Sequence, residues 1–106
     1  MKQFRLRLAG ADYQRLCLRV FIRDGWKCRH CKNRNNLNAH HIIFRSQGGD
    51  DADWNLVTLC AGLGNPCHDA VHRHDLEIYS PNGDPDGRID ANKSLRFVRH
   101  NGWTPH

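Results

Sequence analysis

The sequence predicts a small α+β fold that depends on bound metal, and three observations carry the prediction. One amphipathic helix stands among several short strand-like segments. Four cysteines, Cys28, Cys31, Cys60 and Cys67, lie in the middle of the chain. Four histidines, His40, His41, His68 and His72, are interleaved with them. That density of thiol and imidazole groups is above what packing needs. At 106 residues the chain is long enough for one domain spanning 1–106. Only 39% of its residues are hydrophobic, and its mean hydropathy is -0.75. A core this lean gains from a structural metal.

Taken in order, Gln3 to Leu8 alternate apolar and polar, which suggests a short strand or extended arm. Asp12 is placed to cap a helix running to about Asp24. Its apolar stripe is Tyr13, Leu16, Cys17, Val20 and Phe21. Gly25 suits the position just past a helix end. Leu37 to Phe44 should form a strand carrying His40 and His41. Ser46 to Asp53 reads as a loop, with Gly48-Gly49 permitting its reversal. Trp54 to Leu59 should be the next strand and its entry, with Asn55 at its mouth. A helix of about two turns should open at His68. Leu76 to Tyr79 looks like a strand, Pro81 to Gly87 a turn cluster, and Leu95 to Val98 a returning strand. The core motif covers 28–74, a basic strand and helix precede it over 1–25, and an extension follows over 75–106.

Cys28 and Cys31 have the two-residue gap that lets both sulfurs face one ion. Cys60 and Cys67 can supply the other half of a closed tetrahedral zinc site. Gly62 and Gly64 in the longer loop between them allow tight turns. The alternative is a disulfide pair or free buried thiols. No signal-peptide apolar stretch opens the chain, so the cysteines read as metal ligands in a reducing, cytoplasmic setting. Cys17 is the odd one and reads as packing. No apolar run approaches the roughly 18 residues of a membrane span. His68 and His72, at i and i+4, share one helix face. His40 and His41 are adjacent, so on a strand they point to opposite faces. One can bind metal while the other does acid–base work.

Formal net charge is +5 with neutral histidines, and it is unevenly spread. Residues 1–34 hold ten of the sixteen Lys/Arg against two acids, whereas 35–106 carry a net negative charge. A basic stretch of this kind is a footprint for phosphates, or else a solvated face. Arg15, Arg19 and Arg23 recur every fourth residue beside the helix's apolar stripe. With Lys27 they are the candidate DNA contacts.

The ordered set Arg23 to Cys31, Ala39-His40-His41-Ile42, Gly48-Gly49, Asn55 to Cys60 and Cys67-His68 resembles the HNH endonucleases. More narrowly, it is similar to the branch whose ββα-metal motif (the His-Me finger) is braced by a four-cysteine zinc. The six-residue gap between Cys60 and Cys67 departs from the family's usual two. The resemblance implies a zinc-stabilised ββα-metal domain with an N-terminal helix and a short C-terminal β extension. It implies His41 as the general base, Asn55 as the residue that holds the hairpin loop and helps orient the base, and His40, His68 and His72 as ligands of a catalytic divalent ion. Mg²⁺ prefers oxygen ligands, so imidazoles bind Zn²⁺, Ni²⁺, Co²⁺ or Mn²⁺ more strongly.

The expected function is metal-dependent hydrolysis of DNA. A non-catalytic zinc-knuckle DNA-binding module is the alternative, and a structural role in a larger complex is a third reading. The expected partner is DNA, without a membrane, with room for phage or restriction-system proteins. The chain is expected to be a monomer or weak dimer. Basic side chains imply phosphate contacts, not base reading.

Overall fold

The structure is a computed structural model and describes residues 7–80 and 89–105. In chain order these form α1 (Gly10–Arg23), β1 (Leu37–His41), β2 (Leu56–Cys60), α2 (Cys67–His72), β3 (Leu76–Tyr79) and β4 (Arg96–Arg99). Two short 3-10 turns, Arg45–Gln47 and Asp53–Asn55, lie in the link between β1 and β2. The sheets are two antiparallel pairs, β1 with β2 and β3 with β4. In the first, Leu37 faces Cys60 and His41 faces Leu56; in the second, Leu76 faces Arg99 and Tyr79 faces Arg96. With α2 after the first pair, the order is ββα, in keeping with an HNH-type metal domain.

β2 is the centre of the molecule, and all five of its residues are buried. α1 packs its stripe against it. Leu16 and Val20 meet Leu56 in one cluster, and Leu8 leans on it from outside. On the other side Val57, Leu59 and Cys60 join Cys67, Ala70, Val71, Leu76 and Trp103. Each large aliphatic side chain so buried contributes roughly 1.5–3 kcal/mol before the entropy of ordering it. Cys17 is half-buried on α1 beside Tyr13, as a packing residue would be.

Several boundaries differ from expectation. α1 begins at Gly10, with Ala9 at its N-cap and no side-chain cap. Asp12 therefore sits inside the first turn, and its carboxylate pairs with Arg15 instead of capping. The other end is as expected. The Gly25 amide donates to Ile22 O at 3.1 Å and the Trp26 amide to Phe21 O at 2.9 Å, the paired bonds of a Schellman stop. β1 ends three residues before Phe44, because the Ile42 amide turns to the Asn55 carbonyl at 2.9 Å. α2 opens at Cys67, one residue early, and is six residues long. β4 is shifted one residue toward the C-terminus of the expected strand. Leu8 is not in a strand, and the rest of the expected strand at 3–8, apart from Arg7, lies outside the described residues. The turn cluster at 81–87 also lies outside them.

A buried carboxylate ties these pieces together. Asp24, at the end of α1, receives Arg23 Nε at 2.8 Å and Nη2 at 3.0 Å, Arg29 Nη1 at 3.3 Å and the Thr58 amide of β2 at 3.0 Å. The two guanidinium groups reach further. Arg23 donates to Leu56 O at 2.6 Å, Asp53 O at 2.7 Å and Asn92 Oδ1 at 3.0 Å. Arg29 donates to Ala91 O and, at 2.8 Å, to Lys93 O. α1, β2 and the segment at 91–93 are thus clamped around one charge. Removing one partner of such a set strands the others without solvent. Asp24→Ala should lower unfolding free energy by about 3–5 kcal/mol, read as a lower urea midpoint. A variant as stable as the parent would show that the clamp is dispensable.

Candidate active site and metal centres

The four cysteine sulfurs come from three places: the turn after α1 (Cys28, Cys31), the end of β2 (Cys60) and the first residue of α2 (Cys67). They all lie within 4.8 Å of one another. Cys31 and Cys60 approach to 3.5 Å, and the Cys67 amide donates to Cys60 Sγ at 3.3 Å. The loop of residues 61–66 returns Cys67 to the cluster through Gly62 and Gly64, at φ 108° and 90°. None of the four sulfurs is joined in a disulfide in the structure. Their electrostatics fit a cation at the centre. The hydrogen bond from Cys67 holds Cys28 down to about 4, whereas burial raises Cys60 to about 11. Cys67 is raised too, by its bond to Cys28 and by burial. Four sulfurs this close cannot all ionise without a positive ion, and a closed tetrahedral zinc supplies one.

The second cluster is built of imidazoles. His40 on β1 and His68 and His72 on one face of α2 bring their ring nitrogens within 4.8 Å of one another. Ring centroids are 5.2 Å apart for His40 with either partner and 4.7 Å for His68 with His72. His40 is buried, and its Nε2 has no hydrogen-bond partner among the described residues. Burial first, then the neighbouring His68, His72 and His41, pushes His40 down to about 3. Burial also lowers His72. A buried, neutral imidazole with an orphan nitrogen facing two others fits a metal ligand set, which relieves that unmet group.

His41 is kept out of that trio. Its Nε2 lies 2.8 Å from Asp51 Oδ1, and its ring lies parallel to Tyr13 with centroids 6.3 Å apart. Asp51 is fully buried and fully engaged. Arg45 grips it with Nε at 2.9 Å and Nη2 at 2.7 Å, and the Leu8 amide donates to Oδ2 at 2.8 Å. Burial alone would raise this carboxyl, but the Arg45 guanidinium, the Leu8 amide and His41 outweigh it and bring it down to about 2. An ionised carboxylate only accepts, so the proton of neutral His41 sits on Nε2 and Nδ1 keeps a lone pair. His40, His41, His68 and His72 line one cleft of about 500 Å³, together with Tyr13, Phe44 and Arg45.

The loop that carries Asp51 is held by Asn55. The Asn55 Oδ1 accepts the Ile43 amide at 2.8 Å, and Nδ2 donates to Ile43 O and Asp50 O at 3.0 Å each. Gly49 passes so close that a Cβ there would stand 1.7 Å from Ile43 O, so no side chain fits.

The HNH endonuclease family matches residues 28–74. That span begins at the first cysteine and ends just past His72, so it takes in both clusters and the Asn55 loop. The chain belongs to the HNH endonuclease family. Among curated proteins it is similar to Anaredoxin from Nostoc sp. (strain PCC 7120 / SAG 25.82 / UTEX 2576), 34% identical over 56 residues. That match covers 52% of this chain and 68% of the relative. No solved structure matches significantly.

Within this HNH chain, several expected or overlooked residues take particular positions. Asn55, expected to hold the hairpin loop and help orient the base, spends its side chain on the Ile43 and Asp50 backbone groups, and among the described residues it makes no hydrogen bond to the His41 ring. Arg23, a candidate DNA contact, has its guanidinium in the Asp24 clamp, because the Leu56 carbonyl of β2 and the Asp53 carbonyl of the 3-10 turn lie within its reach. Arg15 and Arg19 remain exposed, and Lys27 is half-buried. Sequence reasoning missed Arg45 and Tyr13 at the cleft and Asp51 buried behind His41. The only hint was an acidic residue following the glycine pair.

It also left His30 unassigned. Here His30 Nε2 accepts from Arg99 Nε at 3.2 Å, which places the ring proton on Nδ1, 3.2 Å from Cys67 Sγ. Arg99 of β4 thereby fixes a hydrogen bond to a zinc-site sulfur, while Trp103 stacks on the ring at 5.7 Å. Second-layer partners of this kind are typically worth about 10–100-fold in metal affinity. His30→Phe should keep one zinc per chain yet release it to a competing chelator about 10–100-fold more readily. Cys60→Ser should lose zinc and fold together. Metal analysis with chelator titration checks both, and a well-folded wild type without zinc would remove the premise.

Proposed function

We propose that this HNH protein is a metal-dependent endonuclease that hydrolyses DNA phosphodiester bonds. The single observation behind the reading is the division between adjacent histidines. His40 turns into a three-imidazole cluster, and His41, lining the same cleft, is held apart by the buried Asp51 carboxylate. A module that only binds DNA has no use for that division.

The chain's residues would work as follows. His41 Nδ1 takes a proton from the attacking water, as a neutral imidazole can. Asp51 holds the ring in that tautomer and balances the positive charge that develops on it. Arg45, half-exposed over the Tyr13 ring at 4.9 Å, adds positive charge at the cleft where phosphate would lie. Asn55 and Gly49 keep the loop in register. His40, His68 and His72 would hold a divalent ion, which when bound would supply positive charge for the phosphate transition state and the departing 3′ oxygen. Imidazole ligands favour Zn²⁺, Ni²⁺, Co²⁺ or Mn²⁺ over Mg²⁺. Arg15 and Arg19, on the exposed side of α1, are suited to backbone phosphates.

A supercoiled-plasmid assay with a panel of divalent ions tests the reading. His41→Ala should lower the cleavage rate by about 10²–10⁴ while retaining the ion. His68→Ala should lose the ion, measured by calorimetric titration, with partial recovery at high metal concentration. Asp51→Asn keeps the shape but loses the charge; activity should fall, and nitrogen NMR should show the His41 proton no longer confined to Nε2. If His41→Ala cuts at the parental rate, the base has been wrongly assigned. If no ion supports cleavage by the wild type, the endonuclease reading fails.

A further inference from the structure

Away from the cleft, the Asp24 clamp opens onto a hollow of about 340 Å³. Its walls hold five cations, Arg23, Lys27, Arg29, Lys32 and Lys93, against one carboxylate, Asp24. That carboxylate is buried and already shared between the two arginines. Among the described residues none of the three lysines has a salt-bridge partner. Among the described residues, Lys32 Nζ donates to a neutral acceptor, the Arg29 carbonyl, at 3.0 Å. The side chains of Asn92 and Ser94 complete the rim as neutral polar groups. A concave site of this sign, with its one acid spent, is matched by an anion with several oxygen acceptors.

We infer that this hollow is a second, non-catalytic anchor for the phosphate backbone of duplex DNA. The inference rests on the endonuclease reading for its ligand, and it locates a contact that the reading leaves unplaced. Helix geometry sets the distance. Tyr13 lines the cleft and Arg23 lines the hollow, ten residues apart on α1, or roughly 15 Å at ~1.5 Å per residue. One strand of a duplex advances about 3.4 Å per phosphate, so a strand lying in the cleft reaches the hollow about four nucleotides away. The anchor would hold the duplex against the rigid end of α1 and the zinc knuckle, while the cleft acts on the bond. It gives Lys27 its role and exempts Arg23, whose guanidinium is committed to the clamp.

The test uses the full chain with His41→Ala, so that the DNA stays intact. Lys27→Gln, Lys32→Gln and Lys93→Gln are added together, and binding to a labelled duplex is followed by fluorescence anisotropy over a range of salt. Affinity should fall at least about tenfold, and the slope of log affinity against log salt should become shallower by about 1–3, near 0.9 for each phosphate no longer neutralised. The same three positions changed to Arg should keep the slope. Zinc content and circular dichroism confirm the fold. Unchanged affinity and slope overturn the anchor, as does weaker binding with an unchanged slope. The two readings fail separately. A wild type that cuts DNA while the Gln variant binds normally removes only the anchor. A wild type that never cuts, yet loses binding with the lysines, removes only the endonuclease assignment.

Discussion

Four sulfurs meeting at the end of β2 are the constraint on which the rest of the molecule depends. The cluster joins the turn after α1 to the end of the central strand and the first residue of α2, which lie about thirty residues or more further along the chain. A chain with so lean a core gains much from such a junction, because the ion's binding free energy becomes folding free energy. The consequence reaches the imidazole cluster directly. Cys67 opens α2, so fixing its sulfur fixes the start of a six-residue helix too short to be stable alone. His68 and His72 ride on that helix, and the cluster therefore sets their approach to His40.

Two buried carboxylates serve the two halves of the molecule in the same way. Asp24 takes two guanidinium groups and a strand amide, and in doing so joins α1, β2 and the segment at 91–93. Asp51 takes a guanidinium, an imidazole and the Leu8 amide, and joins the chain before α1 to the loop beside the cleft. Each would be costly to bury alone, and each is satisfied by more than one charged or backbone donor. The first arrangement holds the fold; the second holds His41. The segment upstream of α1 is thus part of the site's support, with Arg7 donating to Gly49 O and, at 3.0 Å, to Arg45 O.

Both groups of candidate metal ligands were legible in the sequence because ligand chemistry is local. A two-residue gap between cysteines and an i, i+4 pair of histidines make sense only if their side chains converge. The stripe on α1 and the burial of β2 were legible for a related reason, since periodicity reports which face is covered. The sequence by itself also separated His40 from His41, because neighbours on a strand point apart. What only the tertiary structure decided was where the long polar side chains end. Arg23 lies in a regular row with Arg15 and Arg19, yet only its neighbours in space, Asp24, Asp53, Leu56 and Asn92, turn it inward. Asp51 and Arg45 sit in a loop whose path depends on Asn55 and on the absence of a side chain at Gly49. His30 finds its sulfur only once β4 brings Arg99 alongside. Spacing along the chain constrains ligands that must meet one small ion, whereas a hydrogen bond between residues distant in sequence exists only after the fold has brought them together.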